Sequence, residues 1–186
     1  MFRIGKEEID AVARAINSHD FFKINNSGCE VLNFENEYKE YMGSERCLLM
    51  TSGFGAIVSA LVGLGIGPGD EVIVPGYTYI ATALAVTAVG AIPVIADIDE
   101  TLTIDVEDIE KKISANTKAI IPVHIMGFPC KMDAICELAK KHGIAVVEDA
   151  CQSIGGKFGG RHLGTIGDAG AYSFNYYKVL TAGEGG

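Results

Sequence analysis

The chain is poor in positive charge. Fifteen lysines and arginines stand against twenty-four aspartates and glutamates in 186 residues, a formal net charge of −9. No basic cluster interrupts that deficit, which argues against a nucleic-acid surface and requires any anionic ligand to be held by local groups. Cysteine is also sparse. Cys29, Cys47, Cys130, Cys136 and Cys151 are odd in number, show no C-x-x-C spacing and fall mostly inside apolar segments, so they read as reduced thiols of a cytosolic protein rather than a disulfide framework. Lys6, Glu7, Glu8 and Asp10 interrupt any secretory apolar stretch at the start, and the expected location is the cytoplasm. His19, His124, His142 and His162 do not gather with cysteines and carboxylates, so no metal site is expected; His124, at a buried strand end, could face the site but reads better as a satisfied structural residue. There is no internal repeat, low-complexity tract or flexible linker, and residues 1–186 are read as one domain.

What the chain has is apolar sequence, 48% of its residues, enough for one substantial core. Val72 to Ala96 carries no charge and is long enough to cross a bilayer, yet Pro75, Gly76, Gly90 and Pro93 divide it. It reads as strand Glu71–Val74, helix Ala81–Val89 and strand Ala91–Ala96, apolar because both faces of the sheet are covered. Ahead of it, Lys6–Ile16 places Ile9, Val12, Ala13 and Ile16 on one helical face, Asn25-Asn26-Ser27-Gly28 is turn chemistry, and Glu30–Met42 is a second helix ended by Gly43. From Cys47 the pattern alternates: strand Cys47–Met50, helix Ala56–Leu64, helix Val106–Ile113 capped by Asp105, strand Lys118–Val123, helix Met132–His142, strand Ile144–Glu148 and strand Ala169–Phe174. Such alternation predicts an α/β fold with a mainly parallel sheet, its site where strands end and loops turn into helices.

Four strings fall at such places. Thr51-Ser52-Gly53-Phe54-Gly55 joins a strand to a helix, and small residues there let backbone N–H groups approach an anion; a plain turn would look the same. Val74-Pro75-Gly76-Tyr77-Thr78-Tyr79 brings aromatics to a strand end, for stacking on a flat ligand or for packing. Ala145-Val146-Val147-Glu148-Asp149-Ala150-Cys151-Gln152 carries an aspartate out of an apolar strand, either into a site or as a helix cap. Ser173-Phe174-Asn175-Tyr176-Tyr177-Lys178 precedes Thr181-Ala182-Gly183-Glu184-Gly185-Gly186. One amine and one buried acid suggest pyridoxal 5'-phosphate (PLP), which needs a lysine to hold its aldehyde and a carboxylate to keep its ring nitrogen protonated. An exposed lysine, with a pKa of roughly 10.4, would be protonated and non-nucleophilic at neutral pH.

Together with Gly69-Asp70-Glu71-Val72-Ile73-Val74-Pro75, Ile121-Pro122-Val123-His124 and Met132-Asp133-Ala134-Ile135, these strings resemble the DegT/StrS family of PLP-dependent sugar aminotransferases over essentially the whole chain. The resemblance implies the large domain of the aspartate-aminotransferase fold. It makes Lys178 the cofactor-carrying lysine and proton shuttle, Asp149 the partner of the ring nitrogen, Gln152 the neighbour of the ring hydroxyl, and Ser173 a phosphate ligand. Gly53, Phe54 and Gly55 fall on the phosphate-binding turn, Tyr79 on one face of the ring and Cys151 on the other. Phe54 stands where many relatives have threonine, and Cys151 where alanine is commoner. The implied reaction moves an amino group from glutamate or glutamine to a keto sugar, commonly nucleotide-linked, in a homodimer. A ketocyclitol acceptor, a sugar dehydratase and a non-catalytic regulator are the alternatives; the dehydratases are expected to carry histidine at the position of Lys178. A further strand and a smaller C-terminal domain are expected beyond Gly186.

Overall fold

Short apolar strands whose alternate residues must be buried on opposite faces set the architecture. In the computed structural model, which describes residues 4–19, 21, 23–25 and 29–186, the chain divides into two compact units, Met1–Leu49 and Met50–Gly186. The first holds helices α1 (Lys6–Ser18) and α2 (Glu30–Met42). The face of α1 that periodicity marks as apolar is open, with Ile9, Val12 and Ile16 each more than half exposed. Helix α2 buries Glu35, Tyr38 and Met42 and ends at Gly43, whose φ of 68° is the left-handed conformation that a side chain disfavours. The Glu35 carboxylate pairs with the Lys23 ammonium and accepts the Leu49 N–H at 2.8 Å. Of the expected turn Asn25–Gly28, Asn25 ends a short 3-10 helix, Lys23–Asn25, and the other three residues lie outside the described ones.

The second unit is built on a five-stranded, all-parallel sheet in the order β2-β1-β3-β4-β7, from β1 (Glu71–Pro75), β2 (Ile92–Ala96), β3 (Thr117–Ile120), β4 (Ala145–Asp149) and β7 (Ala169–Ala171). Val72, Val74, Ala119, Ile121 and Val147 pack with Ile57 and Leu61 of α3 (Gly53–Gly63) and Ala85 and Val86 of α4 (Ala81–Ala88). The alternate residues Ile73, Ile120 and Val146 pack with Ile109 of α5 (Val106–Lys112) and Met132, Ile135 and Leu138 of α6 (Met132–His142). A small hairpin, β5 (Lys157–Phe158) and β6 (Arg161–His162), fills the connection from β4 to β7. No helix among the described residues is long and apolar enough to cross a membrane.

Three expected boundaries are corrected. Cys47–Met50 is not a strand: Glu35 takes the Leu49 N–H, and the ladder-like bonds of this stretch are those exchanged by Met50 and Gly186. Helix α3 starts at Gly53 rather than Ala56, because the Ser52 hydroxyl caps it by accepting the Gly55 N–H at 3.0 Å. Strand β7 stops at Ala171, after which Phe174 turns to bond Gly185 and Ala182 instead of a neighbouring strand.

Candidate active site

The sheet order places β1 between β2 and β3, so the chain reverses direction across the sheet there, and the carboxyl ends of β1, β3 and β4 converge where such folds hold ligands. Asp149 ends β4 and is buried. Its Oδ1 accepts the Cys151 N–H at 3.1 Å and its Oδ2 the Thr82 hydroxyl at 2.8 Å. Among the described residues no lysine, arginine or histidine lies within 4 Å of it. A buried carboxylate held by two donors and no cation is a receptor for a positively charged group.

Gly53, Cys151 and Ser173 meet beside it. A methyl group on Gly53 would lie 2.7 Å from Cys151 Sγ, 2.9 Å from Ser173 Cβ and 3.0 Å from the Tyr172 carbonyl oxygen. Only glycine lets the start of α3 come this close. Gly55 is less confined, a methyl there standing 3.4 Å from Ser52 Oγ. Its N–H is occupied by the Ser52 cap, whereas the amides of Gly53 and Phe54, in the first turn, have no intrahelical acceptor. The buried Ser173 hydroxyl accepts the Asn175 N–H at 3.4 Å and keeps its own proton to donate. Burial, followed by the nearby Asp149 charge, pushes the Cys151 thiol well above its ordinary value, so it stays protonated.

Lys178 sits on a turn whose ends are tied together. The Phe174 N–H donates to the Gly185 carbonyl, Ala182 N–H to that of Phe174, Tyr176 N–H to that of Gly183 and Lys178 N–H to that of Asn175. The Asn175 side chain bonds Glu184 and the Tyr177 amide. Lys178, Gln152, Met126, Tyr177 and Val179 line one open cleft of about 260 Å³. Gln152 Oε1 accepts the Met126 N–H at 3.1 Å, which fixes the amide's orientation and leaves its NH₂ for another acceptor. The structure thus gathers Lys178 with Gln152, and Gly53 with Cys151, Ser173 and Asp149. Phe54 is 40% exposed and Tyr79 68% exposed.

The residue beside Asp149 has a different part. Glu148 is fully buried and accepts the N–H groups of Gly164, Ile166 and Gly167 at 2.8, 2.5 and 2.7 Å, and His124 Nε2 at 2.9 Å. His124 Nδ1 accepts the Cys130 N–H, so its proton is on Nε2 and points to Glu148. Burial alone would raise the Glu148 pKa, but the His124 bond and the loop amides outweigh it and hold the carboxyl below its ordinary value. Both ring nitrogens of His124 are thus bonded within the fold, as its structural reading expects. Sequence reasoning missed Thr82, which contacts Asp149 across 67 positions with no local pattern to announce it.

A parallel α/β sheet with a buried acid at a strand end and a glycine-started helix close to the residues that follow it defines the class of fold and site. The chain belongs to the DegT/DnrJ/EryC1/StrS aminotransferase family, which it matches over residues 3–186. It is 43% identical over 164 residues to GDP-perosamine synthase of Caulobacter vibrioides, covering 88% of this chain and 44% of that protein. It is also 43% identical over 178 residues to dTDP-3-amino-3,4,6-trideoxy-alpha-D-glucose transaminase of Streptomyces venezuelae, covering 95% and 46%. A Streptococcus pneumoniae protein described as a sugar aminotransferase, solved in its PLP form, superposes with a TM-score of 0.92 at 31% identity, over 98% of this chain and 50% of that one. The chain therefore spans about half the length of these relatives.

Proposed function

We propose that residues 1–186 form the cofactor-binding large domain, with its helical lead-in, of a PLP-dependent aminotransferase. It moves an amino group from glutamate or glutamine to the keto group of a nucleotide-linked sugar, as a cytoplasmic homodimer. The observation that carries this reading is Asp149, a buried carboxylate with two hydrogen-bond donors and no cation within 4 Å, beside the cluster of Gly53, Cys151 and Ser173. The GDP- and dTDP-linked products named for two relatives support a nucleotide-sugar acceptor.

PLP, when bound, supplies a cationic ring that takes up the electron pair released as the donor's Cα–H bond breaks. Asp149 would keep the ring nitrogen protonated through a charge-assisted hydrogen bond. The Lys178 amine would hold the cofactor's aldehyde and, when free, would take and return the proton at the donor Cα. The Gly53 and Phe54 amides and the Ser173 hydroxyl would hold the phosphate, the Gln152 NH₂ would bond the ring hydroxyl, and Tyr79 and Cys151 would flank the ring. The test is borohydride reduction of the PLP-treated protein followed by peptide mapping, with amino transfer from glutamate measured in parallel. Label on the Lys178 peptide is expected; label on another lysine, or none, defeats the assignment.

A further inference from the structure

Thr82 lies in the first turn of α4, is fully buried, and places Oγ1 2.8 Å from Asp149 Oδ2, 2.8 Å from Thr78 Oγ1 and 3.2 Å from the Tyr79 carbonyl oxygen. A helical threonine often does no more than bond back to a carbonyl three residues earlier, which here is that of Tyr79. The distances and chemistry point elsewhere. Thr82 has a single hydroxyl proton; the carboxylate and the carbonyl can only accept it, and the carboxylate is both closer and charged. With that proton committed to Asp149, the 2.8 Å contact to Thr78 requires the Thr78 hydroxyl to donate to Thr82. The alternative acceptor for Thr78, the Tyr79 carbonyl, is 3.4 Å away. The protons therefore run one way, Thr78 to Thr82 to Asp149, and each bond polarises the next.

We propose that Thr82 is a positioning residue, whose hydroxyl fixes the orientation of the Asp149 carboxylate toward the cofactor ring nitrogen and ties it to the Thr78–Tyr79 segment. The proposal rests on the PLP reading above. The Cys151 amide holds one oxygen of Asp149 and Thr82 the other, so both torsions of the side chain are set before any ligand arrives. Without the hydroxyl the carboxylate keeps one anchor and must be ordered by the cofactor itself.

The test is a double-mutant cycle on PLP affinity, measured by absorbance titration of the full-length protein carrying this chain. Thr82→Val removes the hydroxyl at nearly constant volume and is expected to weaken PLP binding about tenfold, the scale of one charge-assisted hydrogen bond. Thr82→Ser restores the hydroxyl and is expected to return affinity to within about threefold of wild type. In an Asp149→Ala background, Thr82→Val is expected to change affinity less than about twofold, because no carboxylate remains to orient. Asp149→Asn serves as the second background, since its neutral amide makes no ion pair with the ring. An equal tenfold loss in the wild-type and Asp149-substituted backgrounds would show that Thr82 only packs, and unchanged affinity in Thr82→Val would also overturn the proposal. If wild type takes up no PLP at all, the cofactor reading fails and the proposal falls with it; that result is distinct from a wild type that binds and a Thr82→Val that binds equally well.

Discussion

Gly53 and Gly55 occupy the same helical turn and invite the same substitution with opposite results. Replacing a helical glycine with alanine ordinarily stabilises a protein, by at most about 1 kcal/mol, because alanine loses less backbone entropy on folding. Neither glycine needs a left-handed backbone, so no conformational penalty opposes that gain. At Gly55 the added methyl meets only Ser52 Oγ at 3.4 Å and Thr51 Oγ1 at 3.5 Å, close to ordinary contact. Gly55→Ala is expected to be neutral or stabilising.

At Gly53 the added methyl stands 2.7 Å from Cys151 Sγ, 2.9 Å from Ser173 Cβ and 3.0 Å from the Tyr172 carbonyl oxygen. Cys151 can shift by a torsion, but the other two neighbours move only with the backbone after β7. Forcing a methylene-sized group into such a site costs about 1–3 kcal/mol, and with contacts as short as 2.7 Å the upper part of that range applies, so that after the helical gain a net loss of up to about 2 kcal/mol remains. For a chain of this size that lowers the melting temperature by up to about 8 °C. Circular dichroism melts of Gly53→Ala and Gly55→Ala, side by side, check the sign at each position. The double variant Gly53→Ala/Cys151→Ala removes the closest contact and keeps the others. It is expected to be less destabilised than the sum of the singles by at least about 0.5 kcal/mol. A Gly53→Ala protein that melts at or above wild type would refute the close approach of α3 to Cys151 and Ser173.

The Glu148 carboxyl is held below its ordinary value of 4.5, so the unfolded chain takes up a proton first: stability is complete above that value and is lost as pH falls through the lower folded value. Acid titrations of wild type and Glu148→Gln should differ in that window, the variant being less stable at pH 7 and showing a shallower fall toward acid; identical slopes would remove Glu148 from the account. Tyr79 is 68% exposed and so adds little to folding. Tyr79→Ala should leave the melting temperature within about 2 °C of wild type yet weaken PLP binding by roughly 1–2 kcal/mol, while Tyr79→Phe retains affinity; equal affinity in all three would leave Tyr79 without a stacking role. The half-buried Cys151 thiol, held protonated by desolvation and by Asp149, should react with iodoacetamide at pH 8 far more slowly than a free cysteine, as followed by peptide mass; rapid alkylation would contradict its placement.

Much of the sheet was legible because its signal is local. Val72, Ile73 and Val74, or Ile120 and Ile121, are apolar without interruption because alternate residues enter two different cores. Helix α5 announced its start through Asp105, which caps it as expected, and Gly143 in the left-handed conformation closes α6. The failures share a cause. Cys47–Met50 has strand composition, yet composition carries no information about which partner claims an amide, and Glu35 claimed that of Leu49. The amphipathic pattern of α1 was read correctly as helix, but periodicity marks a face without saying what covers it, and Ile9, Val12 and Ile16 stay open.

The site divides along the same line. Residues 148–152 form one string, and that string already separates two carboxylates whose structural environments differ sharply. Glu148 is surrounded by three loop amides and the His124 N–H, four donors that satisfy it within the protein. Asp149 has two donors and no cation. Strand alternation explains the divergence, since consecutive residues at the end of β4 point to opposite faces of the sheet: one meets the Gly164–Gly167 loop, and the other meets α4 and the turn that follows the strand. An Asp149–Glu148 exchange would therefore fail even though it conserves charge. The longer glutamate would displace the Thr82 contact at 2.8 Å, and the shorter aspartate would fall short of amides now 2.5 to 2.8 Å from the Glu148 oxygens. Chain order names the acids, but only the pairings at separations of 67 and 16 to 24 residues decide which one the fold saturates with four donors and which keeps only two.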